Sequence, residues 1–175
     1  MKLFHMTEQT NAITGSNVKV ETKTAYLSGA MEYAPDRGEK WRKSISIRLK
    51  QELGHEVFNP NDESNIILSS EEKSNFKSWK ESDIEKFKLL IHKIINHDLG
   101  FLTKKTDYVV CFWDEYASLG GGTQGEITVA YQNKIPVFLL TKMPVTRISS
   151  WILGCSEKIF FDENSLISDL KNRYK

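Results

Sequence analysis

The sequence predicts a three-layer α/β sandwich built on a mostly parallel, five-stranded sheet. Three observations carry that expectation. Short apolar runs alternate with helical patterns along the chain, the signature of strands crossed over by helices. Two of the expected strands, 107–113 and 136–140, carry apolar runs, continuous from Tyr108 in the first, as in strands covered on both faces. Turn residues then close the strands, with Gly29 after the first and Asn59-Pro60-Asn61 after the second.

Taken in order, residues 9–22 are polar, with Gly15-Ser16-Asn17 together, so 1–22 read as a flexible arm and 23–175 as a single domain. The first strand is expected at 24–28 and a loop at 30–38. Trp41, Ile45, Leu49 and Leu53 recur every four residues, giving a helix that stops at Gly54. A short strand follows at 56–58. Residues 64–77 show no clear period. From Trp79 the pattern turns helical, with Ile84, Phe87, Ile91, Ile94 and Ile95 on one face and Lys86, Lys88 and Lys93 on a solvated one. After the strand at 107–113 comes a loop at 114–122. A helix at 123–133 then faces the core through Ile127, Ala130 and Tyr131. Strands at 136–140 and 159–161 and a last helix using Leu166, Ile167 and Leu170 complete the chain.

Composition narrows the function classes. A chain of 175 residues suits one domain, and 24 Lys and Arg against 23 Asp and Glu leave a net charge of +1. That balance gives no support to a broad nucleic-acid-binding surface. No run approaches the roughly 18 apolar residues of a membrane span, and the N-terminus lacks a secretory signal. The expectation is a cytoplasmic protein without membrane or nucleic-acid partners. Cys111, inside an apolar run, reads as a buried free thiol. His92 and His97 are five apart, poor spacing for one helix face, so no metal is expected.

Ligands of open α/β sheets collect at the carboxyl ends of the strands, here the loops 28–38, 59–65 and 114–126. The third contains Ser118, Gly120, Gly121 and Gly122 ahead of Glu126. Glycines permit positive φ and close approach of a ligand, and a helix start offers free N–H groups to an anion or a sugar hydroxyl. The motif is neither a Walker loop nor a dinucleotide fingerprint. Glu126 falls in the expected first turn, where the helix dipole and free N–H groups keep a carboxylate ionised. It serves there either as a cap or as a nucleophile on an anomeric carbon. A second carboxylate should accompany it, and Asp98, placed after the long helix, and Asp107 are equal candidates. Trp41 and Trp151 read as core or interface residues. Trp113, at a strand end, reads as packing, with a base-stacking role as the alternative.

Several segments together resemble the nucleoside 2-deoxyribosyltransferase family and its relatives that hydrolyse deoxynucleoside 5'-monophosphates. They are residues 25–31, Asp98 and Asp107, residues 122–131, and residues 133–137, which follow one another in the family's order. The resemblance implies a Rossmann-like, flavodoxin-like domain and a nucleoside or nucleotide substrate, with neither cofactor nor metal. It implies that Glu126 attacks C1' of the deoxyribose, that Tyr26 touches this nucleophile, and that Asp98 manages the proton of the leaving base. Asp107 then matches the aspartate of a strand start.

Transfer of deoxyribose between bases is the leading expectation. Hydrolysis of a 5'-monophosphate is the alternative, with Ser28, Gly29, Arg37, Ser118 and Gly120 around the phosphate; Gly122 and Asp107 complete the candidate substrate contacts. A non-catalytic nucleotide-binding protein is the third reading. The resemblance also implies a homodimer or larger homo-oligomer. Three features depart from the family: Ser118 stands eight residues ahead of Glu126 rather than about six, the acids of this loop, Asp114 and Glu115, lie further away than the sugar-binding acid of the transferases, and residues 61–80 form a polar insert.

Overall fold

Five parallel strands stand in the order β2-β1-β3-β4-β5. They are β1 (Thr24–Gly29), β2 (Glu56–Phe58), β3 (Tyr108–Trp113), β4 (Val137–Thr141) and β5 (Lys158–Phe160). The computed structural model describes residues 22–174, so the expected arm lies outside the described residues apart from Thr22. This strand order is that of the flavodoxin-like doubly wound class. The chain moves outward from β1 in one direction and from β3 in the other, which opens a crevice at the carboxyl ends of these two neighbours.

Side chains alternate across a strand, so each strand feeds two cores. Ala25, Leu27, Tyr108, Val110, Phe138 and Leu140 face one side, where α1 (Glu39–Arg48) and α8 (Glu163–Arg173) cover them with Ile45, Leu166 and Leu170. Tyr26, Val109, Cys111, Trp113, Val137 and Leu139 face the other. That side is covered by α4 (Ile84–Lys105), α5 (Glu115–Leu119), α6 (Gly121–Gln132) and α7 (Ser150–Cys155). Burying each large aliphatic side chain stabilises the fold by about 1.5–3 kcal/mol, which explains the continuous apolar runs of β3 and β4. Cys111 and Cys155 are both free and buried. No described helix is long and apolar enough to cross a membrane.

The segment without a clear period forms two helices, α2 (Pro60–Ile67) and α3 (Ser70–Ser82). Asn59 caps the first, and Ser69 with Glu72 forms a reciprocal capping box on the second. No residue of α3 is buried, which is why its sequence lacks an apolar stripe. It rests on α4 through Lys86–Glu71 at 2.9 Å, Lys93–Glu72 at 3.1 Å and a Phe76–Phe87 ring stack. Lys86 and Lys93, read as simply solvated, therefore hold two helices together. The expected apolar face of α4 is also different. Ile84 and Ile95 are exposed, and Leu90, Asp98 and Leu102 are the buried positions. The apolar residues are spread around most of this helix, so periodicity did not single out the face that packs. On α6, Ile127 and Ala130 are buried as expected but Tyr131 is exposed.

Candidate active site

Tyr26 and Ser28 lie two apart on β1, so both point to the face covered by α6. The Tyr26 hydroxyl donates to Glu126 Oε1 at 2.7 Å, and Ser28 Oγ donates to Glu126 Oε2 at 2.5 Å. Each carboxylate oxygen is thus held by one hydroxyl from the sheet. Tyr26 stands in the middle of β1 rather than at its end. Helix α6 begins at Gly121, two residues earlier than the sequence predicts. Glu126 consequently sits in the second turn, beyond the free N–H groups of the helix start. Its expected ionisation by those groups does not hold. Burial pushes its carboxyl up to about 7, and Asp98 adds to the rise, while Ser28, Tyr26 and Arg42 oppose it. Burial and the Glu126 charge also raise the Tyr26 hydroxyl well above its ordinary range, keeping it a proton donor in the hydrogen bond.

Asp98 lies inside α4 rather than after it, because the helix continues to Lys105. Its carboxyl is buried and close enough to Glu126 and Tyr26 to raise both. Burial raises Asp98 itself, whereas the hydrogen bond and charge of His97 hold it down. His97 Nδ1 is 3.0 Å from Asp98 Oδ1, and its Nε2 is 3.5 Å from Glu63 Oε2. Phe58 stacks on Tyr26 at 4.9 Å and on Phe101 at 4.0 Å, and lies against the His97 ring at 5.7 Å. Glu63 carries no signal in the sequence, and the spacing of His97 from His92 speaks only to metal ligation.

Arg42 was missed as well. It is 1% exposed and holds the β1–α1 loop together. Nη2 donates to the Gly29 carbonyl at 2.7 Å, while Nη1 donates to those of Ala30, Arg37 and Gly38. Burial lowers its guanidinium to about 10, and Glu126 and Tyr26 favour its charged form. The signal was present, since Arg42, Ile45 and Leu49 share the helical spacing of a buried face. Two glycines permit this packing. A Cβ on Gly29 would lie 2.7 Å from the Trp41 ring, and one on Gly38, at φ +70°, would lie 2.2 Å from Arg42 Nη1.

The remaining candidates are dispersed. Ser118 is in α5 and donates to the Glu115 carbonyl at 2.6 Å. Gly120 precedes α6 with φ −102°, and Gly121 and Gly122 belong to the helix. None of the three has the positive φ expected, and Gly121 and Gly122 face open space. Arg37 is exposed and contributes its carbonyl, which accepts from Arg42 and Asn61. Asp107 stands at the opposite, amino end of the strands, accepting from Thr24 N at 2.7 Å and pairing with Lys23 at 3.3 Å. The structure therefore brings Asp98, not Asp107, to Glu126. Trp113 is buried in the core beneath the helices, and Trp151 is 66% exposed.

Asp114 caps α5 and lines a cleft of about 180 Å³ with Ala30, Trp41, Phe112 and Tyr116, above the ends of β1 and β3. A wider groove of about 430 Å³ between α3 and α4 contains none of the residues that contact Glu126. Among the described residues, no three His, Cys, Asp or Glu side chains converge as a metal site requires.

No protein-family profile matches the chain, and no curated protein matches it significantly. Solved structures do. A 2-deoxyribosyltransferase from Bacillus psychrosaccharolyticus is 20% identical with a TM-score of 0.56, over 85% of this chain and 90% of that one. A conserved protein from Enterococcus faecalis V583 is 14% identical with a TM-score of 0.58, over 87% and 99%. A CMP N-glycosidase from Clostridium botulinum is 18% identical with a TM-score of 0.49, over 86% and 99%. At these identities the likeness is one of fold.

Proposed function

We propose that this chain cleaves the N-glycosidic bond of a 2-deoxyribonucleoside and transfers the sugar to a second base, with Glu126 as nucleophile, Asp98 as acid and base, and Tyr26 as the residue that orients Glu126. One observation carries the reading: a partly buried carboxylate held on each oxygen by a hydroxyl of the central strand β1, close enough to the buried Asp98 carboxyl to be raised by it. A structural carboxylate gains stability by pairing with cations or backbone N–H groups. Glu126 is instead held near neutrality by burial, which suits a group that must act around pH 7.

The chemistry follows from two carboxyl groups with one proton between them. The ionised Glu126 attacks C1', the C1'–N bond breaks, and the base leaves with the proton of Asp98. The product is a deoxyribosyl ester on Glu126. An incoming base then attacks C1', Asp98 takes back its proton, and Glu126 is released as carboxylate. Water in place of the second base gives hydrolysis.

The fold likeness to a 2-deoxyribosyltransferase supports transfer. So do the engagements of two serines proposed for a phosphate site, since Ser28 donates to Glu126 and Ser118 to the Glu115 carbonyl. The deciding experiment incubates deoxynucleosides and their 5'-monophosphates, each with and without a different free base, and separates the products. Base exchange on unphosphorylated deoxynucleosides is expected to exceed hydrolysis. Reaction of monophosphates alone, without need of an acceptor base and weakened by Ser118→Ala, replaces this reading with a nucleotide N-glycosidase.

A further inference from the structure

We propose that His97 is a positioning residue that fixes Asp98 through Oδ1, so that the proton used on the base resides on Oδ2; this rests on the glycosyl-transfer reading above. Neighbouring residues on a helix ordinarily point about 100° apart, yet His97 Nδ1 lies 3.0 Å from Asp98 Oδ1. Two contacts hold the ring in that place. Glu63 on α2 faces Nε2 at 3.5 Å, Phe58 on β2 lies against the ring, and Phe58 is itself clamped between Tyr26 and Phe101.

The geometry divides the labour of a carboxylic acid. A general acid with two free oxygens can place its proton on either, and only one faces the substrate. A donor fixed on Oδ1 occupies one lone pair of that oxygen and disfavours a proton there, leaving Oδ2 as the better site to carry it. The His97 side chain is 31% exposed and that of Asp98 12%, so His97 lies between solvent and the buried acid.

The charges facing Asp98 are few. His97 shares its helix, Glu63 approaches from α2, and Tyr26 and Glu126 approach from β1 and α6. Lys93, one turn before His97, is engaged by Glu72 of α3. Among these, His97 is the group that holds the Asp98 carboxyl down against its burial.

The test compares His97→Phe and His97→Asn with wild type. Phenylalanine keeps a ring against Phe58 and loses both nitrogens, whereas asparagine places an amide donor where Nδ1 stands. Turnover is measured from pH 4 to 9 on a deoxynucleoside with a natural base and on a 2-deoxyriboside with an activated phenolate leaving group. His97→Phe is expected to lose about tenfold to a hundredfold in kcat on the natural base, the scale of one hydrogen bond to a charged group. Its KM and its rate on the activated substrate stay near wild type. The limb of the pH profile that belongs to Asp98 moves to higher pH, and His97→Asn restores most of both.

Equal losses on the two substrates, or an unmoved limb with no rescue by asparagine, overturn the positioning role alone. A wild-type protein that cleaves neither substrate, or a Glu126→Gln variant as active as wild type, overturns the glycosyl-transfer reading and this role with it. Circular dichroism of each variant separates misfolding from either result, and Glu63→Gln, which leaves His97 and Asp98 intact, supplies a milder variant expected to share the same substrate dependence.

Discussion

The Tyr26 hydroxyl donates to Glu126 Oε1 at 2.7 Å, although 100 positions separate the two residues. A strand at the centre of the sheet thereby sets the orientation of a carboxylate carried by a helix. Ser28, two residues on, does the same for the other oxygen. Side chains on a rigid sheet hold a reacting group more closely than loop residues would.

Glu126→Gln is expected to lose at least about two orders of magnitude in base cleavage or exchange, the usual weight of a covalent nucleophile. It should also stabilise the protein at alkaline pH. Burial raises the folded-state pKa of Glu126 from 4.5 to about 7, so the folded state is increasingly penalised as pH rises across that window. The full penalty, up to about 3 kcal/mol, applies above pH 7 and vanishes below about pH 4.5. Urea unfolding at pH 8 and pH 4 checks this. A gain of the same size at both pH values rules out the burial argument.

Tyr26→Phe keeps the stack on Phe58 and removes one of the two donors to Glu126. Because that hydrogen bond opposes the burial-driven rise, Glu126 should titrate at still higher pH. In wild type one limb of the pH profile of kcat/KM is expected near pH 7, from Glu126. The variant should move this limb upward and lose about tenfold in kcat/KM, as one charged hydrogen bond warrants. A profile identical to wild type would show that the hydroxyl does not govern the nucleophile.

Asp98→Asn should slow poor leaving bases far more than activated ones, since only the former need a proton. It should also lower the pH at which Glu126 titrates, because the Asp98 charge raises Glu126. Asp107→Asn, at the far end of the sheet, should leave kcat/KM within about threefold and weaken the fold by about 1 kcal/mol through its bond to Thr24. Reversal of these two outcomes in a leaving-group series would exchange the roles assigned to the aspartates.

The glycines separate packing from ligand space. Gly29→Ala forces a Cβ within 2.7 Å of the Trp41 ring and should cost about 1–3 kcal/mol. Gly122→Ala meets nothing within 4 Å and should stabilise α6 by up to about 1 kcal/mol. If substrate lies against the start of α6, the same variant raises KM. Thermal unfolding and steady-state kinetics on the pair read both effects, and unchanged KM in Gly122→Ala would place the substrate elsewhere.

Sequence reading succeeded where burial leaves a period. The apolar runs of β3 and β4 identified two-faced strands, and Trp41, Ile45 and Leu49 marked α1. It failed where an element is stabilised from outside its own pattern. Helix α3 has no fully buried residue and rests on α4 through lysine pairs and the Phe76–Phe87 stack, so no stripe announced it. The apolar residues around α4 are too numerous to reveal which face packs, and Asp98 turned out to be on that face. Two further glycines were available to start α6, and helical geometry took them in, shifting Glu126 by half a turn and removing its expected N–H partners.

The sequence by itself determined the α/β order of elements and the parallel sheet, because strand and helix periods are local, and Tyr26, Asp98 and Glu126 entered as candidates through the family resemblance. Only the tertiary structure decided which aspartate meets Glu126, that Arg42 ties the first loop, and that His97 and Glu63 stand behind Asp98. It also decided the environment of the Glu126 carboxyl. A carboxyl at a helix start is held ionised by the helix, whereas one packed between a sheet and a second carboxyl is driven toward neutrality by lost solvation, and solvation is a property of the assembled fold.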